Sequence, residues 1–193
     1  KNSISSPIIK IAILSIVIGF VTMLISIASG VGLQNKIYQK VSAFNGDIII
    51  SNFDTNFSDD SQNPISTIQG FYPTFSSIKG IQHIQATASK GGVIRTANKF
   101  EGVVVKGVGK DYDWNYFNEF LIDGSLPDYS HLLTNKILIS EYTSTRLNLK
   151  VGDKLNTFFF NSDNSKLPRS RSFKVSGIYN SGFNEFDEKF VIA

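Results

Sequence analysis

IAILSIVIGFVTMLISIASGVGLQN, residues 11–35, carries no charged side chain between Lys10 and Lys36. Most of its residues are Ile, Leu, Val, Ala, Met and Phe. As an α-helix it would be about 37 Å long, which exceeds the roughly 30 Å hydrocarbon core of a bilayer. A core helix of a soluble domain seldom stays uncharged for this length, and a signal peptide has an apolar core of only about 7–15 residues. The stretch therefore predicts a membrane-spanning helix.

Small residues lie along one face of this predicted helix. They follow at steps of four, three, four and four: Ser15, Gly19, Thr22, Ser26 and Gly30. Small side chains at this spacing let two helices approach each other closely in lipid. A helix that only anchors a domain does not need such a face. We therefore expect these residues to pack against other membrane spans.

The composition of the whole chain narrows the classes of function. Its 193 residues leave room for one span and a soluble part of about 150 residues, a usual size for a single domain. The net charge is only +3 and the basic residues are scattered, so nothing supports nucleic-acid binding. There is no cysteine, which excludes disulfides and thiolate metal sites. The first residue is Lys rather than Met, so we expect a piece of a longer protein.

An amphipathic pattern continues past the predicted span. It ends at Asn45-Gly46, two residues that tolerate the left-handed conformation of a helix end. We therefore divide the chain into a transmembrane helix and stalk, residues 1–46, and a soluble domain, residues 47–193.

Apolar patterns and turn residues predict an alternation of strands and short helices in the soluble domain. Strands are predicted at residues 47–51, 84–96, 100–108, 136–140, 154–160 and 172–179. Short helices are predicted at 74–79, at one or two places within 111–133, and at 141–147 behind the cap Ser140. The polar stretches 52–63 and 161–171 are predicted to be loops. Strands interleaved with short helices indicate an α+β or α/β domain, and we predict α+β.

Fragments of three known motifs occur, and each lacks residues that its chemistry needs. Residues 76–79 match S-x-x-K without the S-D-N and K-T-G triplets of penicillin-binding enzymes. Residues 111–115 open like a calcium loop but lack its Gly and Glu, and residues 107–110 resemble an incomplete phosphate loop. His83 and His131 lie far apart in the sequence. We therefore predict no catalytic residues, no metal site and no cofactor in this chain, and no enzyme activity of its own.

Nine short motifs follow one another over nearly the whole chain. They are GLQNK (32–36), GDIII (46–50), GIQHI (80–84), VVVKGV (103–108), LIDG (121–124), ILIS (137–140), LNLKVGDK (147–154), VSGIY (175–179) and GFNEFD (182–187). Their order resembles that of lipoprotein-releasing ABC permeases, which belong with the MacB-type periplasmic core domains and the FtsX-like permeases.

The resemblance implies a permease subunit in the bacterial inner membrane, with its soluble domain in the periplasm. The domain would consist of a βαβ-rich lobe and a smaller inserted lobe, and three further spans would follow residue 193. The implied partners are an ATPase subunit that holds ATP and Mg, and a second permease subunit in a homo- or heterodimer. The complex would pass lipoproteins from the membrane to a periplasmic chaperone.

One permease type of this family captures the chaperone with a proline-bearing hook between two late strands. In this sequence the equivalent residues are Leu167, Pro168, Arg169 and Arg171. The loop that contains them, residues 161–171, is shorter than the family's hook and lacks a glycine. Both interpretations therefore stay open, a chaperone-binding hook and an ordinary hairpin loop.

Other functions also stay open at this point. Within the family the alternatives are a MacB-like efflux subunit and a division-type permease that activates a wall hydrolase. From another class, the alternative is a membrane-anchored sensor with an extracytoplasmic ligand domain. The late GFNEFD motif favours a permease over a sensor.

Overall fold

The computed structural model describes residues 5–53, 63–115, 117–129, 134–160 and 167–193. The chain divides into two compact units, Lys1–Ile49 and Ile50–Ala193. His131 and the greater part of the two predicted polar loops lie outside the described residues.

The first unit contains one helix, α1 (Ser5–Asn45). It is unbroken for 41 residues, a length of about 61 Å. Every side chain from Pro7 to Gln39 is exposed. This exposure does not fit the core helix of a soluble domain, because such a helix buries its apolar side chains. Among the described residues α1 is the one helix that is long and apolar enough to cross a membrane, and the predicted N-terminal helix is confirmed.

The helix ends where the sequence predicts. Gly46 has a φ of +73°, a left-handed conformation that glycine adopts without steric cost. Its N–H donates to the carbonyl oxygen of Ser42 at 2.7 Å, which satisfies one of the last helical carbonyls.

Two local predictions are wrong. Residues 47–51 form no strand, and Ile48, Ile49 and Ile50 are 82%, 68% and 58% exposed. A strand needs a hydrogen-bonding neighbour, and no described strand pairs with this segment. Residues 74–79 form turns rather than a helix. Six residues are too few for a stable helix without extensive packing.

The second unit is built from seven described strands and two short helices. Their bounds are β1 (Thr87–Arg95), β2 (Phe100–Val108), β3 (Leu121–Gly124), β4 (Lys136–Ser140), α2 (Glu141–Leu147), β5 (Lys154–Phe159), β6 (Arg169–Tyr179), α3 (Asn184–Asp187) and β7 (Phe190–Ile192). A 3-10 turn, Asn118–Phe120, precedes β3. The composition is α+β, as the sequence predicts.

All seven strands join one sheet, which closes on itself. Six strands form a ring in the order β4-β7-β2-β1-β5-β6, and the ring closes because β6 also pairs with β4. The seventh strand, β3, pairs with β6. This closure is possible because β6 is eleven residues long. Its first half pairs with β5, and its second half pairs with β4 and β3. The expected division into a βαβ-rich lobe and a smaller inserted lobe is not seen in the described residues, because these strands share one sheet within one compact unit.

The interior of the closed sheet is a single apolar cluster. Its buried members are Ile94, Val103, Val105, Ile137, Ile139, Leu147, Leu149, Leu155, Val175 and Val191. They come from six strands and from helix α2 with the residues after it. Burial of branched and aliphatic side chains from neighbouring strands fixes the strand register, because a shift of one residue would expose them.

The strand–helix junction at Ser140 matches the sequence prediction residue for residue. β4 ends at Ser140 and α2 covers Glu141–Leu147. The Ser140 hydroxyl accepts the backbone N–H of Thr143 at 3.1 Å, as an N-cap does. The helix ends at Asn148, which has a φ of 57°.

Candidate functional site

Two hairpins lie side by side at one end of the sheet. The first joins β1 to β2 and the second joins β5 to β6, and β1 pairs antiparallel with β5 from Gly92–Phe159 to Arg95–Asn156. A Cβ on Gly92 would lie 3.1 Å from the carbonyl oxygen of Phe158. The absence of a side chain at Gly92 therefore allows the two hairpins to come together.

An open hollow of about 510 Å³ lies at this junction. Its lining residues are Val93, Arg95, Thr96, Ala97, Asn98, Lys99, Phe100, Phe158, Phe160 and Pro168. A second hollow of about 420 Å³ shares Arg95 and Phe158 and adds Lys154. The described lining of both hollows consists of apolar, cationic and neutral polar residues and contains no Asp or Glu.

The predicted chaperone-binding residues lie at the edge of this region. The Leu167 side chain is 88% exposed, and Pro168 lines the hollow. Arg169 and Arg171 do not belong to the loop, because β6 begins at Arg169 and pairs with β5. The predicted loop end at residue 171 is therefore wrong by three residues. The polar sequence of this segment did not reveal that backbone pairing extends so far.

The four residues do not share one face. Arg169 pairs with Phe159 and Arg171 pairs with Thr157. Side chains alternate along a strand, so these two arginines lie on the face opposite to Phe158 and the hollow. The structure thus groups Pro168 with the hollow and the arginines with the other face of β6. Their role in chaperone binding stays a prediction.

The predicted helix-packing residues lie on α1 and are all exposed. Their hydroxyls donate to carbonyls of the same helix at 2.9 Å: Ser15 to Ile11, Thr22 to Gly19 and Ser26 to Thr22. A Cβ on Gly19 or on Gly30 would meet nothing within 4 Å. The face therefore presents little bulk and no unsatisfied hydroxyl to a neighbour.

Asp111 fastens a segment without regular structure to the domain. Its carboxylate accepts hydrogen bonds from the Tyr72 hydroxyl at 2.9 Å and from the Ala86 N–H at 2.8 Å. His83 Nε2 lies 2.6 Å from the carbonyl oxygen of Asp111. The hydrogen bond to Asp111 raises the pKa of Tyr72. Asp111 and His83, which fragments of motifs had singled out, are thus engaged in structural contacts.

A buried lysine lies beside an aromatic cluster. Lys106 on β2 is 6% exposed, and its ammonium lies 5.8 Å from the centroid of the Tyr112 ring. Burial lowers the pKa of Lys106 to about 8 and raises the pKa of Tyr112 to about 12. The ring of Tyr112 contacts Trp114 at 4.7 Å between centroids. Sequence reasoning missed Lys106, although a lysine within the apolar run VVVKGV was a visible signal.

The GFNEFD motif holds a buried polar network. The carboxylate of Asp187 accepts the hydroxyl of Ser181 at 2.8 Å and the N–H of Ser181 at 3.1 Å. The Ser140 hydroxyl donates to the carbonyl oxygen of Asp187. The network therefore joins the start of α2 to the connection between β6 and β7. Its chemistry is that of a structural clamp, since each donor is matched by an acceptor.

No metal-binding cluster of three or more His, Cys, Asp or Glu side chains occurs among the described residues. Ser76 and Lys79 of the S-x-x-K match lie exposed in turns.

The described residues combine a helix of membrane-spanning length with an α+β domain. The model of the MacB-like periplasmic core domain matches residues 11–193, and the chain belongs to that family. This is the permease-type periplasmic domain of ABC transporters of the MacB/FtsX family.

One similar solved structure is the extracellular domain of the noncanonic ABC-type transporter YknZ from Gram-positive bacteria. It is 14% identical, with a TM-score of 0.41. The match covers 60% of this chain and 56% of that chain. None of the curated proteins matches this sequence.

Proposed function

We propose that this chain belongs to a permease subunit that releases lipoproteins from the bacterial inner membrane. The permease passes them to a periplasmic chaperone and is driven mechanically by a partner ATPase, which holds ATP and Mg. A second permease subunit completes the transporter, and the small-residue face of α1 packs against neighbouring spans.

The observation that carries the proposal is the continuity of α1. A bilayer needs only about 20 helical residues, and α1 has 41. With residues 11–35 as the span, residues 36–45 continue the same helix for about 15 Å beyond it. A continuous helix resists bending because its backbone hydrogen bonds are all made within it. It can therefore transmit a displacement from the membrane to the soluble side, which a flexible linker cannot do.

Within the permease family, the residues before β6 support a lipoprotein-releasing function. Leu167 offers an exposed apolar contact, and Pro168 has a fixed φ that reduces the ordering cost on binding. A MacB-like efflux subunit or a division-type permease would use the same helix without a lipoprotein chaperone. A membrane-anchored sensor would need no ATPase partner.

Capture of the chaperone tests the lipoprotein-releasing function. Purified periplasmic lipoprotein chaperone is titrated onto the detergent-solubilised permease–ATPase complex, with Leu167→Ser/Pro168→Gly beside the wild type. We expect at least tenfold weaker binding and unchanged ATPase activity, because β6 begins only at Arg169. Ile122→Ser, an exposed apolar exchange on β3, is the matched control. If the wild-type complex does not bind chaperone, the efflux or division-type function replaces this one.

The side of the membrane is tested by labelling. The sequence contains no cysteine, so a single Cys at Asn98, in the β1–β2 turn, gives one reactive position. It should react with a membrane-impermeant maleimide in intact spheroplasts. If this cysteine reacted with the maleimide only after lysis, the domain would lie in the cytoplasm, and the proposal would be contradicted.

A further inference from the structure

We propose that the tip of the β1–β2 hairpin is a second docking contact, and that it receives an acidic protein surface with an apolar recess. The contact centres on Phe100 and Arg95, on the far side of the hollow from Pro168. This inference rests on the proposed function, because the partner would be the same chaperone that contacts Leu167.

Phe100 is the apolar anchor of this contact. Its side chain is 76% exposed although it begins a strand of the closed sheet. The turn before it is held by three hydrogen bonds between Thr96 and Lys99. The Thr96 N–H and hydroxyl donate to the Lys99 carbonyl at 2.9 Å and 3.2 Å, and the Lys99 N–H donates to the Thr96 hydroxyl at 3.2 Å. The ring is thus carried on an ordered support, which lowers the entropy cost of binding. Aromatic side chains and arginine are the residue types enriched at the energetic centres of interfaces.

The charge around Phe100 is one-sided. Arg95 and Lys154 are exposed beside the two hollows, whose described lining has no carboxylate. The nearest acidic residue on β2, Glu101, is already paired with Arg146 at 3.0 Å. Lys99 in the turn already donates to the Arg146 carbonyl at 2.6 Å. The positive charge that carboxylates of a partner would meet is therefore that of Arg95 and Lys154. Such complementarity speeds association and selects partners.

The exposure of the apolar residues favours a protein over a small amphiphile. A small-molecule site buries about 70–90% of its ligand, which requires an enclosed cavity. Here the hollow is open, and Phe100, Phe160 and Leu167 are 76%, 56% and 88% exposed. Side chains that project in this way fill a recess in a partner better than they enclose a ligand.

The test uses the full permease–ATPase complex and the purified chaperone. Phe100→Ser and Arg95→Glu should each weaken binding at least tenfold, and Arg95→Glu should also reduce the dependence of the dissociation constant on salt. Ile122→Ser and Lys136→Glu are the matched exposed controls on β3 and β4, and they should stay within twofold of wild type.

The possible failures are distinguishable. If only the Leu167→Ser/Pro168→Gly variant loses binding, the hairpin tip is not a docking contact and the proposed function stands. If the wild type binds no chaperone, both proposals fail. If the complex instead binds vesicles of phosphatidylcholine with 30% phosphatidylglycerol and Arg95→Glu abolishes that binding, the surface belongs to anionic lipid and this inference is overturned.

Discussion

Replacing Lys106 with methionine should stabilise the domain at neutral pH. The lysine is 6% exposed, and burial lowers its pKa from 10.5 to about 8. In the unfolded chain the ammonium is hydrated, whereas in the folded domain it is charged and largely desolvated below pH 8. The difference between the two pKa values corresponds to at most about 3.4 kcal/mol, at about 1.36 kcal/mol per pH unit. Methionine has a similar shape and carries no charge, so the desolvation cost itself disappears, and the gain is reduced by the lost contacts of the ammonium, among them that with the Tyr112 ring.

The difference between the folded and unfolded pKa values of Lys106 also determines whether the stability of the domain rises or falls with pH. Between pH 8 and pH 10.5 the folded domain has lost the Lys106 proton while the unfolded chain still holds it. Stability rises with pH wherever the unfolded state binds more protons. The wild type should therefore gain about 2 kcal/mol between pH 7 and pH 9.5, which is about 4–8 °C in Tm for a domain of this size. Lys106→Met should lack this gain.

Fluorescence of Trp114 provides the assay. It is the one tryptophan of this sequence, and its ring contacts Tyr112, which lies beneath the Lys106 ammonium. Thermal unfolding of the chain in detergent micelles is recorded at several pH values from 7 to 9.5. Lys136→Met, which removes an exposed lysine on β4, is the control and should keep the wild-type slope. Equal pH slopes for wild type and Lys106→Met would refute the reasoning.

Two further predictions concern glycines. Gly124→Ala should destabilise the domain by more than about 2 kcal/mol, because Gly124 has a φ of +81° and a Cβ would lie 2.3 Å from the Ser176 carbonyl oxygen. Gly102→Ala, where a Cβ meets nothing within 4 Å, is the control for the same Tm measurement, and equal losses would contradict the steric argument. Gly19→Leu should reduce co-purification of the partner permease and ATPase more than Ile25→Leu does, because it adds bulk to the small face of α1. Equal recovery of both would mean that this face packs against nothing.

The sequence predicted best where the signals are local. The strand, cap and helix around Ser140 were found with their exact bounds, because an apolar run, a serine cap and a glutamate in the first helical turn lie within a few residues. The β1–β2 hairpin was found for the same reason, with its second strand exact and its first strand three residues shorter than predicted at the start. Helix α1 follows from its uninterrupted apolar composition.

The failures concern partners that are distant in the sequence. Residues 47–51 have strand composition, but no described strand pairs with them. Arg169 looked like part of a loop, and its pairing with Phe159 extends β6 by three residues. Closure of the sheet through β6 could not be predicted, because the two halves of one strand pair with different neighbours. The strand propensity of a segment does not show which other segment it pairs with, because pairing depends on which backbone groups of the folded chain lie opposite each other.

The residues of the candidate site also differ in whether their signals are local or depend on partners that are distant in the sequence. Leu167 and Pro168 could be proposed from the sequence because they stand together in one segment, and their role stays a prediction. Arg95 and Phe100 come from a hairpin more than sixty residues earlier and approach this segment only through the β1–β5 pairing. A signal for Phe100 was nevertheless present in the sequence. Val103 and Val105 are buried on β2, so alternation places Phe100 on the opposite face of the strand, a face that is exposed at Phe100 and covered only near Lys106. A phenylalanine on that face beside a turn lies outside the buried cluster around Val103 and Val105, and the binding measurement with Phe100→Ser decides whether its ring contacts a partner.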